Sequence, residues 1–252
     1  MAKQNGVLKI VGKLDDLSFY KSKDGYLVRR KGGVDGSTIA SSPNFQRTRE
    51  NNSEFRRAAQ AGKLIRVAFN KALQNVSNPR LASELTKKMM EVVKADLTST
   101  RGERNVIDGE IGLLTGFNFN PKVKLGNVLY FAIASVLDRV AGTLTFNWPV
   151  FNPQIDVLFP PGATHVRIGF AASAIDFGTE NFSYDGNFSA VYPVNGGSVQ
   201  AQGLVVTVPA NTNLPVLGVV MVEFLQQVNG NLYPLKNGGH NAMQIVLADF
   251  PN

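Results

Sequence analysis

From Val7 the chain alternates short apolar runs with polar turns: Val7 to Val11, Leu17 to Tyr20 and Tyr26 to Arg29 are rich in β-formers, with Asp or Gly residues between them. Runs of this length predict strands. Asp24-Gly25 predicts a type I′ hairpin, because both residue types tolerate the positive φ that this turn requires. The N-terminal element is thus expected to be a β-hairpin, extended to a meander of two or three strands. A ribbon of that size is marginal alone and has to pack on helices, on the rest of the chain or on another chain.

The period changes after a Gly/Ser-rich link at residues 32–42. Ser42-Pro43 reads as a capping hydroxyl followed by a proline preset for a first helical turn. Phe55, Ala58, Ala59, Gly62, Ile65, Phe69, Ala72, Leu73 and Val76 then recur at steps of three and four, which predicts an amphipathic helix. Asn78-Pro79 repeats the start signal, and Leu81, Leu85, Met89, Val92 and Val93 mark a second helix that fades near residues 98–102. A short connection predicts an antiparallel helical hairpin.

Beyond residue 106 helical periodicity disappears. Short β-prone runs follow at 116–120, 128–136, 142–148, 165–171, 188–192, 204–208, 217–227, 232–235 and 243–249, broken by Gly, Pro, Asn and Asp. Val166, Ile168 and Phe170 alternate with His165, Arg167 and Gly169, and Asn229-Gly230 is a second hairpin signal. This spacing predicts an antiparallel β-sandwich, Ig-like or jelly-roll-like. Trp148, between Phe146 and Phe151, is expected in its core. The fold class expected is α+β: a basic β-ribbon and two-helix module over residues 1–105, then a sandwich over 106–252.

Charge sharpens that division. Of 252 residues, 26 are Lys or Arg and 19 Asp or Glu, for a formal net charge of +7. Residues 1–105 hold 21 Lys plus Arg against 10 Asp plus Glu, or +11, while residues 106–252 hold 5 against 9, or −4. Arg29, Arg30 and Lys31 close the ribbon; Arg47, Arg49, Arg56, Arg57, Lys63 and Arg66 line the polar side of the first helix. These nine are the candidate nucleic-acid or anion-binding residues, since phosphate neutralisation needs clustered Lys and Arg. The reading preferred for the same pattern is a solvated face whose charges are partly paired, with Glu50 and Glu54 at helical spacing beside Arg49, Arg57 and Lys63. No aromatic ladder accompanies the basic residues, which argues against single-strand recognition by stacking.

Catalytic chemistry finds little support. There is no Cys, hence no disulfide framework, thiolate site or cysteine nucleophile, and His165 and His240 are the only histidines. His165 falls on the polar phase of its strand and His240 in a Gly/Asn loop. Gly32 to Gly36 lacks the Lys-Ser/Thr of a phosphate-binding loop, and no nucleophile-elbow pattern occurs. Asp176, Glu180 and Asp185 share one Gly/Asn-rich segment but do not match a calcium-loop spacing and are read as a solvated loop. Glu223, inside Gly218 to Phe224, is expected on the outward phase of its strand. No cofactor or metal is expected.

The segments NGVLKIVGKLDDLSFYKSKDGYLVRRKGG, TRENNSEFRRAAQAGKLIR and VEFLQQVNGNLYPLKNGGHNAMQIV resemble those of a group of uncharacterised Bacteroidetes proteins. The resemblance implies a bacterial or phage setting and carries over no activity and no site residue.

The function expected is that of a non-enzymatic structural protein assembling as a repeated subunit in a filament, sheath or virion-like shell, its partners being copies of itself. A nucleic-acid-binding accessory protein and a carbohydrate- or protein-binding sandwich are the alternatives. No apolar run approaches the roughly 20 residues of a membrane span and no signal-peptide core precedes residue 30, so synthesis in the cytoplasm is expected, with release in a particle or non-classical export compatible with it.

Overall fold

The computed structural model describes residues 2–30 and 32–251, the side chains of 236 and 237 excepted. Two compact units divide the chain, Met1–Glu50 and Asn51–Asn252.

In the first unit, β1 (Ala2–Lys3), β2 (Gly12–Leu14), β3 (Leu17–Ser22) and β4 (Gly25–Arg30) form an antiparallel sheet in the order β1-β4-β3-β2. The expected strand at Val7 to Val11 does not form. The Gln4 side chain occupies the Ile10 main chain instead, accepting from its N–H at 2.9 Å and donating to its carbonyl at 3.1 Å. The β3–β4 turn also departs from expectation. Ser22 pairs with Gly25, so Lys23 and Asp24 are the central residues, and positive φ falls on Gly25 alone. The Ser22 hydroxyl accepts from the Asp24 N–H and donates to the Gly25 carbonyl, holding the turn without the type I′ geometry.

The supposed link contains a helix, α1 (Gly36–Ser41), because the Asp35 carboxylate accepts from both the Ser37 N–H and the Ser37 hydroxyl. Those bonds hold the Asp35 carboxyl below the usual carboxylate range. Ser42 makes no side-chain cap: Pro43 opens a separate 3-10 turn, Pro43–Phe45, and α2 (Gln46–Ala68) starts only after it. No described residue of the first unit is buried.

The second unit continues with α3 (Asn70–Leu73), α4 (Leu81–Lys94), α5 (Leu125–Val128), β5 (Ala134–Asp138), β6 (Thr143–Trp148), α6 (Pro153–Asp156), β7 (His165–Asp176), β8 (Asn181–Phe182), β9 (Asp185–Phe188), β10 (Tyr192–Pro193), β11 (Gln202–Thr207), β12 (Val216–Val228), β13 (Asn231–Pro234) and β14 (Ala242–Asp249). A seven-stranded antiparallel sheet is built around β7 and β12, which pair over ten positions from Val216–Ala174 to Leu225–His165. A three-stranded antiparallel sheet has the order β11-β6-β5. The expected run 116–120 is an irregular segment bonded to β14 through Gly116, Phe117 and Phe119 rather than a strand. The run 188–192 splits into β9 and β10.

Strand alternation divides the core in two. Val166, Ile168, Phe170, Val220, Val222 and Phe224 face Leu144, Phe146, Trp148 and Val206 of the smaller sheet. Trp148 lies in that core as expected, stacked on Phe170 with ring centroids 5.2 Å apart and planes 7° apart. On the opposite phase, Ala171, Ile175, Leu217, Val219, Met221, Met243 and Ile245 pack with Ala58, Ile65, Leu85, Met89 and Val92 of α2 and α4. Both faces of the central strands are therefore apolar, the pattern of a doubly covered sheet, and the three layers follow from it.

The two helices run antiparallel. Gly62 lies against Leu85, while Glu54, earlier in α2, accepts from the Gly102 N–H beyond the end of α4. Because the hairpin shares its core with the large sheet, the composition change near residue 105 is not a boundary between compact units. Phe55, assigned to the apolar stripe, is 54% exposed, since the buried stripe begins at Glu54 and Ala58. The hairpin signal at Asn229-Gly230 holds: both have positive φ, and Val228 pairs with Asn231. Among the described residues no helix is long and apolar enough to cross a membrane.

Candidate functional site

The nine basic residues do not form one free surface. In the first unit Arg29 lies over the Tyr20 ring at 5.7 Å, Arg30 pairs with Asp16 at 2.9 Å, and Arg47 pairs with Glu50 at 3.2 Å. Arg49 donates to the carbonyls of Ile39 and Ser42, tying α2 to α1 and the turn between them. Lys31 lies outside the described residues.

In the second unit Arg57 is a structural clamp. It donates to the carbonyls of Gly102 at 2.6 Å and Arg104 at 3.0 Å, and to the Glu103 carboxylate at 2.8 Å. Glu54, less than one turn earlier, grips the same loop. The helical spacing seen in the sequence therefore serves a contact nearly fifty residues away, which no local pattern signals. Arg56 and Lys63 are exposed on α2, two turns apart, and Arg66 is half-buried near them. These three carry what positive potential α2 presents in the second unit.

A cleft of about 110 Å³ lies between α2 and the segment after β7, lined by Arg57, Gln60, Leu64, Ile107, Phe177 and Glu180 among others. Through Gln60, Leu64 and Glu180 it opens into a depression of about 290 Å³ bordered by Lys63, Val67 and Phe182. Among the described residues no histidine, serine or threonine lines either. Among the described residues no three acidic or histidine side chains gather as a metal site. Asp176 instead caps its own turn through the Gly178 and Thr179 N–H groups and the Thr179 hydroxyl; Asp185 binds the Thr207 N–H and hydroxyl. The Thr179 bonds to Asp176 and the Thr207 N–H to Asp185 lead the interactions that hold both carboxyls below their ordinary range.

Glu223 is not on an outward face. It is 2% exposed on the helix-facing phase of β12, where Arg167 meets it across the strand pair. His165 is half-buried with Nδ1 2.8 Å from the Thr164 hydroxyl, and His240 is half-buried in its loop.

The most open features are strand edges and apolar side chains. Val7, Leu8, Ile10, Val11 and Leu14 are exposed in the first unit, Val7 and Leu8 almost fully. In the second unit, Val136 of β5 and Val205 of β11 both sit opposite Thr145 of β6 and are exposed, forming an outward β-branched row across the smaller sheet.

The second unit is thus a three-layer α+β protein with a helical hairpin, a large antiparallel sheet and a small one. No family model, no curated protein and no solved structure matches the chain.

Proposed function

We propose that the chain is a non-enzymatic structural protein that assembles with copies of itself as a repeated subunit. The observation that carries this reading is the first unit: a four-stranded sheet with no buried residue and five exposed aliphatic side chains between Val7 and Leu14. A sheet draws its stability from a covered apolar face, and contiguous exposed apolar surface is the mark of an interaction site. On this reading the subunit is made in the cytoplasm and incorporated into a filament, sheath or virion-like shell.

Size-exclusion chromatography with light scattering, followed by negative-stain microscopy, tests it. Concentration-dependent multimers with a regular repeat are expected; a strict monomer at high concentration overturns the proposal.

Arg56, Lys63 and Arg66 favour a second reading, nucleic-acid binding by α2. It requires an affinity that falls steeply with added salt. Absence of binding at low salt eliminates it.

A further inference from the structure

We infer that Val7–Val11 of one copy adds as a strand to the open edge of β5 in a second copy. The inference rests on the self-assembly reading and names its contact.

The donor is a segment whose sequence is that of a strand but which has no strand partner among the described residues of its own chain. Its apolar residues are exposed, and Gln4 satisfies the main chain only at Ile10. Residues 6–8 bend in the free chain; once the segment is extended, the N–H and C=O of neighbouring residues point to opposite edges, which leaves the edge carrying Lys9 and Val11 free of the Gln4 bonds.

The acceptor is chosen by comparing the edges. β1 has two residues and β2 three. Prolines end β10 and β13, a residue that cannot donate to a ladder. The edge of β11 is met by Asp185, which takes the Thr207 N–H, and β14 is covered by residues 116–119. β9 has only four residues, whereas β5 has five, no Pro and no Lys, and among the described residues hydrogen bonds to a strand on one side only. Protein edges are normally blunted by such devices, and their absence here marks a docking edge.

The two five-residue segments also match in pattern. In β5, Ser135 and Leu137 point inward, while Ala134, Val136 and Asp138 point to solvent. An added strand would set Leu8 and Ile10 beside the first row and Val7, Lys9 and Val11 beside the second. Lys9 then meets Asp138, the only charge on β5.

The absence of cysteine makes the test clean. Full-length chains carrying Val7→Cys, Lys9→Cys or Val11→Cys are each mixed with Val136→Cys chains and oxidised; adjacent strands bring opposed Cβ atoms to about 4.5–5.5 Å, near the disulfide range. One mixture is expected to give several-fold more mixed disulfide than the same donor with Val205→Cys, and Lys9→Pro, which removes a donor from the pairing edge, is expected to lower assembly without changing the circular dichroism. Multimers that form with equal cross-linking to Val136→Cys and Val205→Cys, or with Lys9→Pro assembling as the parent does, overturn this contact while leaving self-assembly intact. A strictly monomeric parent overturns both.

Discussion

Arg167 and Glu223 stand directly opposite each other on β7 and β12, with Arg167 Nε 2.5 Å from Glu223 Oε2 and the guanidinium 4.1 Å over the Phe188 ring. The carboxylate is buried while the guanidinium keeps partial contact with solvent. Removing one partner of such a pair strands a buried charge. Glu223→Ala is expected to cost about 3 kcal/mol or more in urea unfolding, and Arg167→Met with Glu223→Leu to recover most of that loss. A double variant no better than Glu223→Ala alone would refute the account.

Asp96 predicts the acid response. Burial opposes its ionisation, but the N–H groups of Ser99, Thr98 and Asn105 outweigh that cost and hold its carboxyl well below the ordinary range. A folded-state pKa below the unfolded one contributes stability that is complete above about pH 4 and is lost as pH falls toward the folded value. Denaturation midpoints of the parent should therefore drop steadily below pH 4. Asp96→Asn should be less stable at neutral pH and show a flatter acid limb; an unchanged limb would contradict the assignment.

Gly62 and Gly142 predict opposite signs for the same substitution. A Cβ on Gly62 would meet Leu85 at 3.6 Å, an ordinary contact, so Gly62→Ala should stabilise α2 by about 0.5–1 kcal/mol. Gly142 has φ of +68° and a Cβ there would lie 2.5 Å from the Val208 carbonyl oxygen. Gly142→Ala should lower the melting temperature clearly, because the β5–β6 turn must shift.

Arg56 and Arg57 separate surface charge from internal bonding. Arg57→Ala should destabilise by about 1.5–3 kcal/mol, the worth of hydrogen bonds from a charged donor, and loosen residues 102–104 toward protease. Arg56→Ala should stay within about 0.5 kcal/mol of the parent, as exposed positions do. If α2 binds nucleic acid, Arg56→Ala weakens that binding with no loss of stability.

Several elements were legible from local pattern. The Leu81 to Val93 stripe became α4 with Leu85, Met89, Val92 and Val93 buried, and Asn229-Gly230 became the β12–β13 turn. Trp148 went to the core between aromatic neighbours. Legibility failed where a side chain made bonds that composition and period do not show. Asp35 started a helix inside a Gly/Ser stretch through a cap to Ser37, and Gln4 took the Ile10 main-chain groups on one edge of Val7 to Val11. Arg57 and Glu54 read as a basic face with acidic punctuation, yet both serve the 102–104 loop. Glu223 read as outward because alternation separates two faces without telling which of them is covered.

The sequence by itself determined the period of each segment, the uneven charge and the lack of thiol chemistry, since these depend on residue type and spacing alone. Only the tertiary structure decided that the helical hairpin covers the second face of the large sheet, which basic residues are consumed internally, and which strand edge is left open. Those outcomes depend on contacts between residues tens to more than a hundred positions apart, where geometry rather than local preference selects the partner.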